Sequence, residues 1–358
     1  MKKLILFFLI VFTQIPLCAE TTRSDLAKIR VSKEGNFKYW KQDSQVIQKL
    51  KAFVNRVTDP KSTDFVPTKD RIVTLDVDGT LSCETAPYYF NWLFTFHRYL
   101  HDDTFQPEPG DKQLMQEMED YVLANHTSKP EWGLIQQKLQ AKAFRGMTFK
   151  EFSAYLNNYL ETEPVKGFTN LKSGTALYWP MIEVVSYLVE NDFKVFLCSG
   201  VDRDICRVIL KDIYDIPPYQ MMTSDVNYVM HGQGQWIEQQ SLEDYKYNVG
   251  EQVERGDFKQ LCTAANKIVY MRRELGIQPI MAWGNSSGDY PMFHYTQIDN
   301  PRPSICFCLL CDDTVREFGN PAKAEKCRKA CDENDWVAVS MRDEWTTIYG
   351  DDVKRCND

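Results

Sequence analysis

Two aspartates two positions apart, Asp76 and Asp78, stand directly after the apolar run Ile72-Val73-Thr74-Leu75 in the string Asp76-Val77-Asp78-Gly79-Thr80. A short β-branched run without polar alternation reads as a strand buried on both faces, the kind from which parallel sheets are built. Carboxylates spaced in this way at a strand end can divide the labour. One attacks as a nucleophile, and the other, displaced by the turn, gives and takes a proton. Gly79 lets the chain turn tightly away. Alone, the string also reads as an ordinary turn, because Asp and Gly are turn residues. What lies downstream argues against that reading. Residues 193–197 form a second buried run that leads to Ser199-Gly200, and residues 279–283 form a third that leads into Gly284-Asn285-Ser286-Ser287-Gly288-Asp289. In an open parallel sheet the loops at the carboxyl ends of the strands gather at one edge, where ligands bind. Asp76, Asp78, Ser199, Asn285 and Asp289 are therefore expected together.

The elements that must position them follow from the same pattern. Residues 20–70 are a mixed, polar lead-in with a helix-like patch at 46–54. From Tyr88 to Leu160 the chain turns aromatic-rich and helical, and residues 86–178 read as a helical insertion. Met181, Ile182, Val184, Val185 and Leu188 share one helix face, so a βα alternation resumes after the insertion. Residues 305–310 and 336–339 add a fourth and a fifth strand. The expected fold is α/β, a Rossmann-like core with a parallel sheet and an inserted α-helical cap. The core begins within residues 20–85, the cap spans 86–178, and the rest of the core spans 179–358. The aromatic run from Tyr88 to Tyr99 reads mainly as core, with Tyr89 or Trp92 able to face the site from the cap. Asp202 and Arg203 read as a charged, solvated turn, and Ser199 as a cap for the helix beginning near Asp202 as well as a ligand to anions.

Forty-two Lys and Arg face 50 Asp and Glu, a net charge of −8. The basic residues are scattered, which argues against nucleic acid as a partner. Met1-Lys2-Lys3, the apolar run from Leu4 to Phe12 and Ala19 have the zones of a secretory signal peptide over residues 1–19. The expected location is exported, periplasmic or secreted, with no membrane association after cleavage; Pro16 and Leu17 argue against lipid attachment at Cys18. Ten of the 11 cysteines lie beyond the signal, where disulfides, free buried thiols and, less favoured on spacing, a zinc site are the alternatives. The five histidines are dispersed, and Cys198, beside Ser199, reads as a small core residue.

From about Ile72 onward the sequence resembles the haloacid dehalogenase-like (HAD) hydrolase superfamily, in particular exported bacterial members of its phosphoserine-phosphatase-like branch. The matching motifs are Asp76-Val77-Asp78-Gly79-Thr80, Leu197-Cys198-Ser199-Gly200, a lysine ahead of the last acidic loop, and Gly284-Asn285-Ser286-Ser287-Gly288-Asp289. The resemblance implies that Asp76 attacks phosphorus to give an aspartyl-phosphate, while Asp78 protonates the leaving oxygen and later activates water. It implies that Ser199 and Lys267 bind the phosphoryl group, with Thr80 and Gly200 beside the substrate. It further implies a Mg2+ cofactor held by Asp76, Asp78 and Asn285, with Asp289 direct or through water. The spacing of Lys267 from Asn285 fits the resemblance better than that of its rival Lys259. The sequence departs from the commoner pattern at Asn285, where most relatives carry Asp, which removes a negative charge from the metal site. The implied function is hydrolysis of a small phosphorylated metabolite, a phosphomonoester. The alternatives are another leaving group such as a halide, phosphotransfer to another acceptor, and a non-catalytic exported binding protein on the same fold.

Overall fold

All four residues of Ile72–Leu75 are buried, because the strand they form lies at the centre of a sheet with helices on both faces. The computed structural model describes residues 20–85, 88–231, 249–250 and 252–356; the export signal expected at 1–19 lies outside the described residues. In chain order the strands are β1 (Ile72–Leu75), β2 (Phe168–Thr169), β3 (Lys194–Asp202), β4 (Met221–Met230), β5 (Val253–Gln260), β6 (Met281–Gly284), β7 (Ile305–Leu310), β8 (Val337–Ser340) and β9 (Lys354–Arg355). The main sheet runs β5-β4-β3-β1-β6-β7-β8, and β2 pairs with β9 in a separate two-stranded ribbon. Every neighbouring pair in the main sheet is parallel except β4 with β5. This is an α/β fold with a Rossmann-like core.

Alternation along the strands divides the interior into two layers. Val73, Leu75, Val195, Leu197, Met281, Trp283, Phe307 and Leu309 belong to one cluster of buried residues. Phe196, Cys198, Ala282, Cys306, Cys308 and Leu310 belong to the other. The first is covered by α1 (Arg23–Leu26), α2 (Gln45–Thr58), α7 (Trp179–Glu190) and α8 (Arg203–Ile209). Trp283 stacks on Phe307 within it, ring centroids 4.0 Å apart. The second is covered by α9 (Ala265–Glu274), α10 (Tyr290–Gln297) and α11 (Pro321–Asn334). A short α12 (Met341–Glu344) follows β8. The polar lead-in is built into the core: Trp40 is buried edge-on against Trp345, and Ser44 caps α2 through Ile47 N.

Between β1 and β3 the chain forms α3 (Phe90–Phe96), a π-helical turn at His97–His101, α4 (Pro109–Asn125), α5 (Trp132–Ala143) and α6 (Phe149–Thr162). Phe94 is their hub, stacked on Phe144 at 4.8 Å and edge-on to Phe152 and Tyr159. The chain leaves and re-enters the core side by side, because Cys83 N donates to Ala176 O and Tyr178 N to Leu81 O.

Two elements depart from the sequence reading. β4 and β5 together form an antiparallel edge where no strand was expected. β4 carries register shifts at Asp225/Val226 and Val226/Tyr228, and β5 is the polar Val-Glu-Arg-Gly-Asp-Phe-Lys-Gln, so neither shows the even alternation that marks a strand. β3 runs on to Asp202. Ser199 therefore does not cap α8; Asp202 does, its side chain accepting from Asp204 N and Ile205 N. Nor is Asp202 part of a solvated turn. It is buried and bound by the buried Arg255 guanidinium (Nη2 to Oδ2, 2.6 Å), which also pairs with Asp204. Arg203 is likewise committed, to Asp225 (Nε to Oδ1, 2.6 Å).

Nine of the ten described cysteines are buried, and those of the carboxyl-terminal stretch, Cys306, Cys308, Cys311, Cys327, Cys331 and Cys356, are free thiols. Among the described residues no group of three His, Cys, Asp or Glu is disposed to hold a metal ion, so the cysteine-rich end of the chain contains no zinc site there. No described helix is long and apolar enough to cross a membrane.

Candidate active site

Asp76 ends β1 and is tied to the neighbouring strand by its N–H, which donates to Trp283 O at 2.9 Å. The next residues close a tight turn: Val77 O accepts from Thr80, Leu81 and Ser82 N–H, and Gly79 N donates to Ser82 O at 2.8 Å. Gly79 has φ +74°, and a Cβ there would fall on the side chains of Asn285 and Glu84. Glycine is thus required twice, for the left-handed backbone and for the close approach.

Lys267, on the first turn of α9, is buried and reaches back to the sheet edge. Its Nζ donates to Asp76 Oδ1 at 2.8 Å and to Asp289 Oδ1 at 2.5 Å. Asp289 spends its other oxygen on its own loop, accepting from Asn285 N (2.9 Å), Ser286 N (3.1 Å) and Ser286 Oγ (3.3 Å). Asp289 therefore orients both the lysine and the loop that carries Asn285. Ser199, on β3, lies beside the Asp76 carboxylate and pulls its proton affinity down. Lys259, the rival cation, lies exposed on β5.

A second cluster adjoins the first. Glu84 is buried, with Oε2 accepting from Asn285 Nδ2 at 2.5 Å and Oε1 from Tyr89 Oη at 2.6 Å, and Lys323 Nζ is paired with the same carboxylate. Holding the Asn285 amide nitrogen in this way commits it to Glu84 and leaves the side-chain oxygen as the uncommitted polar atom.

These charges do not balance. Fully ionised, Asp76, Asp78, Glu84 and Asp289 would carry four negative charges against two positive ones on Lys267 and Lys323. The excess shows in proton affinities. Burial, and then the Asp289 charge, push the Asp76 carboxyl up to about 6 against the pull of Lys267. Burial, then Asp76, then Glu84, push Asp78 well above the carboxylate range. The same carboxylates hold Lys267 firmly protonated against its own burial.

A cavity of about 250 Å³ opens over these groups, lined from the core by Asp76, Asp78, Ser199, Gly200, Lys267, Asn285 and Asp289 among others. Thr80 is buried beneath the turn and is not part of the lining. From the inserted helices come Tyr89, Asn91, Trp92, Gly133 and Gln137. Sequence reasoning missed Glu84, Asn91, Gln137 and Lys323. None of them sits in a motif, and only the fold brings Lys323 on α11 to Glu84, 239 residues earlier.

A Rossmann-like sheet with acidic and hydroxyl-bearing loops gathered at the carboxyl ends of its central strands defines an α/β protein with a cavity at the strand-order switch point, where folds of this class bind ligands. No protein-family model and no curated protein matches the sequence. Among solved structures, the chain is similar to a conserved protein of unknown function from Anaerococcus prevotii DSM 20548, at 10% identity and TM-score 0.51 over 85% of this chain and 94% of that one. It is also similar to a phosphoserine phosphohydrolase-like protein from Francisella tularensis subsp. tularensis SCHU S4, at 14% identity and TM-score 0.39 over 76% and 97%. A third is cytosolic 5'-nucleotidase IIIB bound to cytidine, at 10% identity and TM-score 0.46 over 84% and 88%. At 10% identity the likeness to the Anaerococcus prevotii protein speaks for the fold alone.

Proposed function

We propose that the chain is a HAD-type phosphatase, an exported phosphomonoester hydrolase that works through an aspartyl-phosphate on Asp76. The observation that carries the reading is the convergence of Asp76, Asp78, Ser199 and Lys267 on one cavity from two separate strands and a helix. Asp76 is the nucleophile, held at the end of a fixed central strand with one oxygen on Lys267. Asp78, two residues on and with a raised proton affinity, is able to carry the proton that a leaving alkoxide needs. Attack by Asp76 Oδ on phosphorus forms the acyl-phosphate bond and breaks the P–O ester bond, and Asp78 gives its proton to the leaving oxygen. In the second half, Asp78 takes a proton from water, which attacks phosphorus and releases Asp76 and phosphate. Lys267 and Ser199 offset charge on the phosphoryl oxygens, the positioning and electrostatic work that phosphoryl transfer demands.

The donor set fits a hard divalent cation. Asp76, the Asp78 backbone carbonyl and the Asn285 side-chain oxygen would hold Mg2+, and the surplus of carboxylates over cations around the site is what such an ion would offset. When bound, it would supply further charge neutralisation to the phosphoryl group. The test is hydrolysis of p-nitrophenyl phosphate with Mg2+ or with EDTA, beside the Asp76→Asn variant. Metal-dependent turnover that the variant lacks supports the reading; a folded protein inactive with every divalent metal refutes it.

A further inference from the structure

Between Ser199 and Asp202 the strand that brings the hydroxyl to the cavity leaves its ladder. Ser199 pairs with Thr223 and Asp202 with Ser224, so β3 advances three residues while β4 advances one, and Gly200 and Val201 form a bulge. Bulges beside functional sites re-aim side chains. This one sets the hydroxyl: Val201 N donates to Ser199 Oγ at 3.4 Å, and Ser199 and Gly200 both line the cavity. The far end of the bulge is Asp202, and it is gripped by the buried Arg255 of β5. Arg255 Nη2 donates to Asp202 Oδ2 at 2.6 Å and Nη1 to Oδ1 at 3.3 Å, and Nη1 also pairs with the buried Asp204.

The inserted helices brace the same residue. Arg255 N donates to Met147 O at 2.9 Å and Gly146 N donates to Arg255 O at 2.8 Å, which fastens the connection between α5 and α6 to β5. The guanidinium lies over the Phe152 ring of α6, 4.1 Å from its centroid. Phe152 is edge-on to Phe144 at 5.2 Å and to Phe94 of α3 at 6.3 Å, so the brace reaches the hub of the helices that close the cavity. A planar fork that meets two carboxylates while its face rests on a ring is a combination that only Arg supplies.

Resting on the phosphatase reading above, we propose that Arg255 is a positioning residue for phosphoryl transfer, which aims the Ser199 hydroxyl through Asp202 and the Gly200-Val201 bulge. Arg255 does not itself line the cavity, so its effect on the reaction passes through Ser199. Arg255→Lys separates this role from simple charge balance. The ammonium leaves Asp202 and Asp204 a counterion but gives up the fork and the flat contact with Phe152.

The test is steady-state hydrolysis of p-nitrophenyl phosphate in Mg2+ by the full chain, Arg255→Lys, Ser199→Ala and the double variant. Arg255→Lys is expected to lower kcat/KM by at least about tenfold, with most of the loss in kcat, because a small misplacement at the reacting groups is enough. In the Ser199→Ala background the same substitution is expected to lower kcat/KM by less than about twofold, since the group it positions is gone. Asp202→Asn keeps the Oδ1 that caps α8 and removes the charge held by the fork; it is the second variant should the first fail to fold, and the same loss and the same dependence on Ser199 are expected of it. A loss that persists without Ser199, no loss in a folded variant, or failure of both variants to fold overturns the inference while the phosphatase reading stands. A folded parent chain that cleaves no ester with any divalent metal overturns both.

Discussion

Lys267 offers the sharpest test of how the site is held together. Its Nζ lies 2.8 Å from Asp76 Oδ1 and 2.5 Å from Asp289 Oδ1, and all three side chains are buried. At an effective dielectric near 20, each contact is worth roughly 6 kcal/mol of Coulomb attraction, and taking each ion out of water costs several kcal/mol. The complete triad is thus near balance. Removing the cation alone is not, because two buried carboxylates remain without their counterion. Lys267→Met, which keeps the length of the side chain, is expected to lower unfolding free energy at pH 7 in EDTA by about 3–5 kcal/mol, the range for a broken buried pair. The loss should shrink toward pH 4, where the orphaned carboxylates take up protons. Adding Asp289→Asn to the same chain should recover part of it. Urea denaturation followed by circular dichroism measures all three. A loss under 1 kcal/mol, or a double variant no more stable than the single, would refute the reasoning that Lys267 is the counterion of this pair.

Two further outcomes follow from other parts of the structure. Glu183 is buried under the lead-in, accepts from Lys38 N (2.8 Å) and Tyr39 N (3.0 Å), and is pushed up to about 7, mainly by burial. The folded state holds that proton more tightly than the unfolded chain, so the contribution is fully present below about 4.5 and is lost as pH rises toward 7. A shift of this size corresponds to about 3 kcal/mol. Glu183→Gln should flatten that part of the stability profile, and a difference curve between variant and parent that does not change with pH would count against it. Gly79→Ala should cut kcat/KM at least about a hundredfold while the protein stays folded, because the added carbon displaces Asn285 and Glu84 and strains a positive φ; retained activity in the alanine variant would contradict the close approach.

Parts of this architecture could be read from residue types alone. Ile72–Leu75 and Ile305–Leu310 are strands over the residues expected, because a strand covered on both faces leaves an unbroken apolar run. The β4–β5 edge escaped because its bulges and polar residues erase that signal. Asp202 looked like surface turn chemistry, and only the return of β5 alongside β4 brings the buried Arg255 to it. The D-x-D pair, Ser199, Lys267 and the loop from Asn285 to Asp289 were visible because each ends a strand or keeps a fixed spacing from one. Glu84 and Lys323 were not, since their meeting is a product of tertiary packing that no local pattern announces.

The central claim is a covalent phosphoryl group on Asp76, and rapid acid quenching during turnover of p-nitrophenyl phosphate, followed by peptide mass spectrometry, reads it directly. The account expects a phosphoryl adduct on the peptide that contains Asp76, absent from the Asp76→Asn variant. Turnover with no adduct, or an adduct on any other residue, would contradict it.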